Sequence, residues 1–428
     1  MKDAKPEVFS GEFLAKIRER FWYVDQDPIN GNRVYFENAG GSLRLKAVTE
    51  QDQLIVSLPD SPSRPSKAAR WLGDMVEQGK EDFRLLVGAK GGDILPSISA
   101  SRAIFHIIGA ILANVPGTNV VTTKLEHPAS YDAVHFYAGK TGKEVRIAPI
   151  NHADGSVDPA EILALVDRNT SMLAVIYASN MTGAVLDIKL IAAEARKINP
   201  DIYIVVDAVQ HVPHAAVDVA DLGVDGLVVA PYKMFGKRGL GLGYISERVA
   251  ALPHDEVYGK SKDRWSVGSA DPSGFNSLSR IVDYICWIGR EFGAGDDRRA
   301  QILQGMAKIN GHEQALLHRL LYGGNAVPGL KHMAGVTVHS VPDAPSHRDL
   351  ILAINIDKLD ATASTKKYQE KGITVFERLA TSAFSQRILR DLGLPGIVRV
   401  SPMHFNTPEE VDQFLKVTEE IVFAAKML

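Results

Sequence analysis

Two residue types that often take part in chemistry stand at the ends of two apolar runs. Asp207 follows the run at 203–206, and Lys233 stands three residues after Ala230, where a second run ends. A carboxylate at such a position either caps a turn or faces a ligand, and a lone lysine there is usually solvated. The two together, 26 residues apart and followed by glycines at 236, 239, 241 and 243, are an unusual combination. These two strand ends are therefore candidate positions for a ligand site.

The elements that must position these residues alternate between strands and helices. Short apolar runs predict strands at 94–97, 119–126, 144–150, 172–179, 202–209, 225–230 and 242–246. Amphipathic stretches lie between most of them, so we expect a largely parallel sheet that is covered by helices on both faces. Ligands of such sheets bind at the carboxyl ends of the strands, where Asp207 and Lys233 would lie.

The rhythm changes after residue 300. A long helical stretch at 300–324 precedes short strands near 335–340, 350–356, 373–379 and 397–402, with helices near 359–370 and 382–392. Thr407, followed by Glu409 and Glu410, predicts the start of a last helix. This part of the chain is expected to form a smaller α/β domain.

Composition and charge exclude several classes of protein. The 428 residues carry 48 Lys and Arg against 51 Asp and Glu, a net charge of −3, which argues against a dedicated binder of nucleic acid or anionic membranes. Cys286 is the only cysteine, which excludes an intrachain disulfide and a cysteine-ligated metal cluster and fits a reducing, cytoplasmic setting. The charged N-terminus lacks the apolar core of a secretory signal, and no stretch approaches the ~18 apolar residues of a membrane span.

Three patterns in the sequence are similar to known ligand-binding motifs, but each lacks a residue that the motif requires. The stretch AGKTGK at 138–143 would need a glycine in place of Val134 to be a phosphate-binding loop. GLGLGY at 239–244 ends in Tyr244 where a dinucleotide-binding motif needs glycine. His211 and His214 have the spacing of metal ligands, but no third ligand is evident, so we expect two ordinary loop histidines and no metal.

The chain resembles the class V aminotransferases, and within them the cysteine desulfurase-like branch. The resemblance runs from VYFENAGGS at 34–42 to RVSPMHFNTPEEV at 399–411, and D-A-V-Q at 207–210 followed by Y-K-x-x-G at 232–236 is its most specific part. It implies pyridoxal phosphate (PLP) as cofactor, held in a Schiff base by Lys233, which would also move protons at the substrate α-carbon. Asp207 would pair with the protonated pyridine nitrogen, and Gln210 would approach the ring hydroxyl oxygen.

The resemblance also implies contacts to the rest of the cofactor. His127, in the E-H-x-A match, would stack on the ring, and Asn180, in S-N-x-x-G, would touch its oxygen. Ser101, at a predicted helix start, would meet the phosphate beside free backbone N–H groups, with a plain N-cap as the alternative. Tyr232 stands where many relatives have histidine and is expected near the phosphate or the ring.

The substrate side and a second subunit follow from the same resemblance. The segment 264–272 resembles R-F-x-x-G-T-P, so Gly268 and Ser269 would reach the phosphate of the other subunit, which implies a homodimer with shared active sites. Arg399 would bind the α-carboxylate of an amino-acid substrate in a bidentate fork, beneath an N-terminal segment that contains Asn38 and Gly40.

The implied fold is that of the PLP-dependent transferases of fold type I, with a mainly parallel seven-stranded sheet and a smaller C-terminal α/β domain. We expect an N-terminal segment, 1–45, which contributes to the active site and to the small domain. A large PLP-binding domain would cover 46–300, and the small domain would cover 301–428.

The resemblance breaks at the desulfurase nucleophile. Cysteine desulfurases carry a cysteine on a loop shortly before the R-x-S motif, and the stretch 373–402 contains none. Cys286 instead shares a helical apolar stripe with Leu278, Ile281, Val282 and Ile285, which predicts a core position. A persulfide-forming desulfurase is therefore not expected.

Several reactions stay open at this point. We favour an external aldimine that leads to lyase or related chemistry at the α- or β-carbon (C–S or C–C), with an aminotransferase or a decarboxylating or aldol-type enzyme as alternatives. Arg102, Lys237 and Arg238 could bind a second acidic group, although solvated surface charge is the default for each. The alternative that is not an enzyme is a catalytically silent binding protein with the same fold. Such a protein would have no need for Lys233.

Overall fold

The strands of the chain fall into one large sheet, one smaller sheet and two short ribbons. The structure, a computed structural model, describes residues 6–59, 64–260, 263–324, 327–342 and 348–427. Its strands are β1 Gln26–Asp27, β2 Gly31–Asn32, β3 Val34–Tyr35, β4 Asp93–Ser97, β5 Asn119–Thr123, β6 Glu144–Ala148, β7 Thr170–Ile176, β8 Tyr203–Asp207, β9 Gly226–Val229, β10 Gly241–Ile245, β11 Val336–His339, β12 Leu352–Ile356, β13 Ile373–Thr374, β14 Phe376–Leu379 and β15 Gly396–Val400.

The large sheet has seven strands in the order β4-β10-β9-β8-β7-β5-β6. The pairs from β9 to β6 are parallel, and β10 runs antiparallel to both β4 and β9. All seven predicted strands are present, so the expected sheet is confirmed. Several predicted strands extend too far at the carboxyl end, because buried apolar residues such as Leu125, Tyr177 and Ala208 continue the apolar run beyond the last residue of the strand.

The helices cover both faces of this sheet. Over all the described residues, the helices of the chain are α1 Gly11–Arg18, α2 Lys46–Glu50, α3 Asp52–Ser57, α4 Lys67–Val87, α5 Ala100–Asn114, α6 Pro128–Thr141, α7 Pro159–Leu163, α8 Ile188–Ile198, α9 Val219–Leu222, α10 Glu247–Ala250, α11 Pro272–Glu291, α12 Arg298–Tyr322, α13 Ala361–Glu370, α14 Gln386–Asp391 and α15 Pro408–Lys426. In β8, Val205 packs with residues of α5 and α6, whereas Ile204 and Val206 pack with residues of α8, α11 and α12. Such alternation is what a strand buried on both faces requires.

The smaller sheet has four strands in the order β11-β12-β15-β14 and lies against α13 and α15. The helix α15 begins after Thr407, which forms a capping box with Glu410, as the sequence predicts. Val34 and Phe36 join the apolar cluster of this part, and β3 pairs in parallel with β13. The N-terminal segment is thus tied to the smaller sheet, and the exact division into three parts stays a prediction.

Over the described ranges, no helix is both long and apolar enough to cross a bilayer.

The carboxyl edge of the large sheet is where the site residues meet. The last residue of β8 is Asp207, which pairs with Ile176 of β7 and Val228 of β9. The chain leaves β9 through a short 3-10 turn, Pro231–Lys233. Because β8 and β9 are parallel neighbours, the aspartate and the lysine lie at one edge although 26 residues separate them.

A glycine in β10 allows the start of α5 to approach the sheet. A Cβ at Gly241 would collide with the backbone of Ser99 and Ala100, whereas a Cβ at Gly139, inside α6, would meet nothing within 4 Å. We expect Gly241→Ala to lower the free energy of unfolding by about 1–3 kcal/mol through overpacking. The same change at Gly139 should raise it by about 0.5–1 kcal/mol, because alanine favours a helix. Urea titration of both variants measures the free energy of unfolding. An unchanged free energy of unfolding for Gly241→Ala would contradict the close packing of α5 on the sheet.

Candidate active site

Lys233 is held in a buried turn by the N-terminal segment. Its side chain is 8% exposed, and its Nζ donates to the carbonyl oxygen of Ala39. The turn continues into Phe235, whose φ of 68° is left-handed and whose N–H donates to Ser42 Oγ at 2.7 Å. Leu45 N–H donates to the carbonyl oxygen of Phe235 at 3.0 Å, so residues from 39 to 45 fix the turn on both sides.

The surroundings of Lys233 favour its neutral amine. Burial is the main cause that lowers the pKa of this amine to about 7, and the positive charge of Arg399 acts in the same direction. Arg238 and Arg378 add to the effect, and the carboxylate of Glu37 opposes it. A neutral lysine amine is a nucleophile toward carbonyl carbons and an acceptor of protons, and this position offers it near neutral pH.

Asp207 and Gln210 lie at the same carboxyl edge of the large sheet and have few hydrogen-bond partners. The Asp207 carboxylate is 6% exposed and accepts a hydrogen bond from Val209 N–H at 3.1 Å. Burial raises the pKa of Asp207 to about 6, while Lys233 acts to lower it. Gln210 is 4% exposed, and its Nε2 is buried with no hydrogen-bond partner among the residues described. Buried polar groups with so few partners suit a polar ligand.

His127 is the N-cap of α6, and its imidazole is neutral near pH 7. Its Nδ1 accepts a hydrogen bond from Ala129 N–H at 3.1 Å, so the imidazole itself caps the helix. Burial, followed by the charges of Lys233 and Arg378, lowers the pKa of His127 to about 4. A neutral ring beside the lysine turn is able to lie on the face of a flat ligand.

The neighbouring Glu126 is a residue that the sequence reasoning did not single out. It is fully buried, and its Oε1 accepts hydrogen bonds from Thr123 Oγ1 at 2.8 Å and from Ile176 N–H at 2.7 Å. Burial raises the pKa of Glu126 to about 8, with the nearby Asp207 carboxylate contributing. The E-H-x-A pattern contains this glutamate and could have pointed to it, but the sequence does not show that its side chain is buried.

Arg399 lies in β15 with its guanidinium in contact with two other parts of the chain. The residue is 2% exposed, and its Nη1 donates to the carbonyl oxygen of Asn180 at 3.0 Å. Its other side faces Glu37, with an ion pair from Nη2 to Oε1 and a contact of 3.4 Å from Nε to Oε2. Glu37 is a second residue that the sequence reasoning missed. No motif marked it as a partner of the arginine.

The N-terminal segment brings Asn38 and Gly40 to the same place. Asn38 Nδ2 donates to the carbonyl oxygen of Ser401 at 3.0 Å, and a Cβ at Gly40 would collide with Glu37 Oε1. Tyr232 lies below this segment, with its carbonyl oxygen 3.3 Å from Ser42 Oγ.

The start of α5 differs in detail from the prediction for Ser101. The N-cap is Ser99, whose Oγ accepts from Arg102 N–H at 3.1 Å, so the N-cap alternative for Ser101 is wrong. Ser101 is the second residue of the helix and is exposed. Its hydroxyl is therefore not used for capping, and its role toward a phosphate stays a prediction.

Gly268 and Ser269, like Ser101, are predicted residues that no described hydrogen bond joins to the others. Both are exposed, on the loop that precedes α11. The Gly268 carbonyl oxygen accepts a local hydrogen bond from Ser266 Oγ at 3.2 Å. Their place in a site stays a prediction that needs a second subunit.

The histidines of the H-x-x-H pattern are not ordinary loop residues, because both are buried against carboxylates. His211 Nδ1 lies 3.1 Å from Asp349 Oδ1, and His214 Nδ1 lies 2.7 Å from Glu313 Oε2. The sequence could not show these partners, which come from more than 90 residues away. Within the described ranges, no group of three or more potential metal ligands was found.

The three extra cations differ in their surroundings. Lys237 Nζ is paired with Asp52 at 2.8 Å and also contacts Ser273, so it is a structural residue. Arg102 is exposed. The Arg238 guanidinium lies 4.0 Å from the centre of the Tyr232 ring and adds positive charge beside Lys233.

Comparisons with known proteins agree on one family. The family model described as Aminotransferase class-V matches residues 34–414. A cysteine desulfurase of Pectobacterium carotovorum is 26% identical over 322 residues, which cover 72% of this chain and 71% of that protein. A cysteine desulfurase of Yersinia pseudotuberculosis is 25% identical over 441 residues, covering 95% of this chain and 98% of that one. The solved structure of a cysteine desulfurase from Thermococcus onnurineus superposes with a TM-score of 0.81 at 20% identity, over 96% of this chain and 98% of that chain, and confirms the predicted fold class.

The lowered pKa of Lys233 has a kinetic consequence. Only the neutral amine attacks an aldehyde, so we expect apoprotein to capture pyridoxal phosphate faster as pH rises through about 7 and then level off. The rate is measured from the absorption band of the lysine-bound aldehyde. A free lysine derivative is the control, and its capture rate should keep rising to about pH 10. A protein midpoint in that ordinary range would contradict the effect of burial.

Proposed function

Because the chain belongs to the class V aminotransferase family, whose members are PLP-dependent enzymes, we propose that it binds PLP through Lys233 and acts on an amino-acid substrate. The observation that carries this proposal is the buried amine of Lys233, with its pKa lowered to about 7, at the sheet edge where Asp207 also ends its strand. A lysine that only supports the fold would gain nothing from such burial, because burying a charged amine costs free energy.

The buried polar groups at this edge fit the proposed cofactor. Asp207 has a carboxylate with one backbone hydrogen bond, and Gln210 has an orphaned Nε2, so a ring with a protonated nitrogen and an oxygen would satisfy both. The neutral imidazole of His127 would lie on the ring face, and Asn180 would contact the ring oxygen. Ser101, Tyr232 and the first N–H groups of α5 would hold the phosphate, which a helix start favours.

The roles of the chain's own residues follow from these environments. When bound, PLP supplies an electron-accepting ring that stabilises negative charge at the substrate α-carbon. Lys233 would hold the cofactor and then take up or return a proton at that carbon, which its lowered pKa favours near pH 7. The segment that contains Asn38 and Gly40 lies over the turn and would exclude water from this position.

A second subunit is part of the proposal. Gly268 and Ser269 are exposed in the single chain, and the Gly268 carbonyl oxygen bonds only locally, to Ser266, among the described residues. Their match to the family pattern is explained if they complete the phosphate site of a neighbouring copy. We therefore propose a homodimer in which each site uses residues of both chains.

The environment of Cys286 bears on the choice between elimination and persulfide formation at a carbon–sulfur bond. The relatives are named cysteine desulfurases, which favours a sulfur-containing substrate. Cys286 is fully buried in α11, and burial raises the pKa of its thiol to about 11. A thiolate nucleophile needs access and a lowered pKa, so Cys286 does not suit persulfide formation. We propose a lyase that cleaves a C–S or C–C bond of the amino-acid substrate, any sulfur leaving as sulfide or thiol and not as an enzyme persulfide, with cysteine desulfurase as the second candidate.

The lysine assignment is tested by Lys233→Ala. We expect purified wild-type protein to show, or to gain with added PLP, a visible absorption band, and the variant to lose the band. Turnover should fall by at least roughly 10²–10⁴-fold, because the variant has no proton-transferring amine. Lys366, which is exposed, supplies the control variant Lys366→Ala, and this should behave like wild type. A colourless wild-type protein that gains no band with PLP would refute the function.

The cysteine is tested by Cys286→Ser and by alkylation of native protein. Turnover of the substrate should change by less than about twofold, with a stability loss of about 1 kcal/mol from repacking. Release of sulfide or keto acid from a panel of amino acids is the assay. Rapid alkylation of Cys286 with full loss of activity would favour the desulfurase instead.

A further inference from the structure

An exposed phenylalanine ring lies beside the proposed active site. We propose that Phe384 determines specificity by packing on the side chain of the substrate, and that this side chain ends in an apolar group, such as the alkyl group of a thioether. The inference rests on the proposed function and names the substrate class of that same site. It leaves the carboxylate of the substrate on Arg399, where the family resemblance puts it.

The ring of Phe384 lies against the imidazole that is proposed to cover the cofactor. The centres of the Phe384 and His127 rings are 6.3 Å apart, and the planes of the two rings differ by 28°. Phe384 is 59% exposed, so much of its ring is available to another molecule. Single exposed apolar side chains are common on protein surfaces. The inference therefore depends on where this ring lies and not on its exposure alone.

The loop that carries Phe384, residues 380–385, begins on the substrate side of the site. It follows β14, whose neighbour in the smaller sheet, β15, carries Arg399. Burial is the main cause of the lowered pKa of Lys233, and the charges of Arg399 and Arg378 act in the same direction. Since Arg378 belongs to β14, the chain enters the loop within electrostatic reach of the lysine amine.

The other end of the loop is tied to the turn that contains His127. In the first turn of α14, Arg387 Nη2 donates to the carbonyl oxygen of Glu126, the residue before His127. Within the loop, Ser385 Oγ donates to the carbonyl oxygen of Leu379 at 2.8 Å. These contacts hold the loop, and with it the exposed ring, beside the imidazole.

An amino-acid substrate has three groups that the site must place. Its carboxylate would bind Arg399 and its amino group would meet the cofactor held by Lys233, which leaves the side chain as the third group. The loop 380–385 is joined to the strand pair of Arg399 at one end and to the His127 turn at the other. The ring of Phe384 is therefore the surface that the third group would meet.

The chemistry of the loop favours an apolar side chain. Residues 379–385, LATSAFS, include no charged group and no thiol. Arg378, just before them, already has a carboxylate nearby: burial and Arg399 lower its pKa, and Glu37 acts to raise it. A thioether sulfur packs favourably on an aromatic ring, and its alkyl group gains from leaving water. An S-alkylcysteine thus suits this ring better than free cysteine or an acidic amino acid does.

The test measures amino-acid binding to holoenzyme from the change in the cofactor absorption band. L-Norleucine is the probe, because it has the shape of S-ethyl-L-cysteine without the sulfur, and L-alanine is the reference, because its side chain is one methyl group. Phe384→Ala should raise the Kd of L-norleucine about tenfold, since apolar surface loses its cover. The Kd of L-alanine and the affinity for PLP should change by less than about twofold. Phe384→Leu should keep most of the affinity, and Phe423→Ala, which removes a similarly exposed ring from α15, is the matched control.

Several results would overturn the inference. One is an equal loss of affinity for L-norleucine and L-alanine, or no loss for either. Another is tighter binding of L-aspartate than of L-norleucine by wild type, because the side-chain site would then be cationic. Loss of PLP affinity in Phe384→Ala would show that the ring only supports His127, and dissociation to monomers in sedimentation would place it at a subunit interface. A wild-type protein that never binds PLP would instead refute the proposed function.

A calorimetric measurement reports the burial of apolar surface directly. Binding that removes apolar surface from water gives a negative change in heat capacity. Titration of holoenzyme at several temperatures should give a more negative change for L-norleucine than for L-alanine, and Phe384→Ala should reduce this difference. A difference that Phe384→Ala leaves unchanged would show that the side chain is bound elsewhere and would overturn the inference.

Discussion

The removal of Lys233 from water is the constraint on which the rest of the site depends. A lysine amine in water is charged at neutral pH, and a buried one is neutral enough to react. The fold achieves this burial at the point where a parallel strand ends, because the turn Pro231–Lys233 leaves the sheet under the segment that carries Ala39. Neighbouring arginines strengthen the effect, and they also make the site attractive to anions such as a phosphate or a carboxylate.

The N-terminal segment connects the two sheets at this position. It pairs with β13 beside the smaller sheet, places Glu37 on Arg399, and then passes over the lysine turn that follows β9. One stretch of chain therefore sets both the burial of the amine and the charge of the substrate side. Changes in this stretch are expected to affect the two together, which separates it from residues that only pack the core.

Much of the architecture could be predicted from the sequence, because apolar periodicity reports burial directly. The seven strands, the helix that contains Cys286 and the capping of α15 by Thr407 all follow from local patterns. The proximity of Asp207 and Lys233 follows from one further rule, that parallel strands share a carboxyl edge. Pairings between distant residues could not be predicted in this way. Nothing in the spacing shows that Glu37 faces Arg399, that Glu313 faces His214, or that Ser99 caps α5 in place of Ser101.

The covalent attachment of the cofactor to Lys233 is the central claim, and borohydride reduction tests it most directly. Protein loaded with PLP is reduced, digested and mapped by mass spectrometry, with unreduced protein as the control. The account predicts a single pyridoxyl label, on the peptide that contains Lys233. A label on Lys237 or on any other lysine, or no stable label at all, would contradict it.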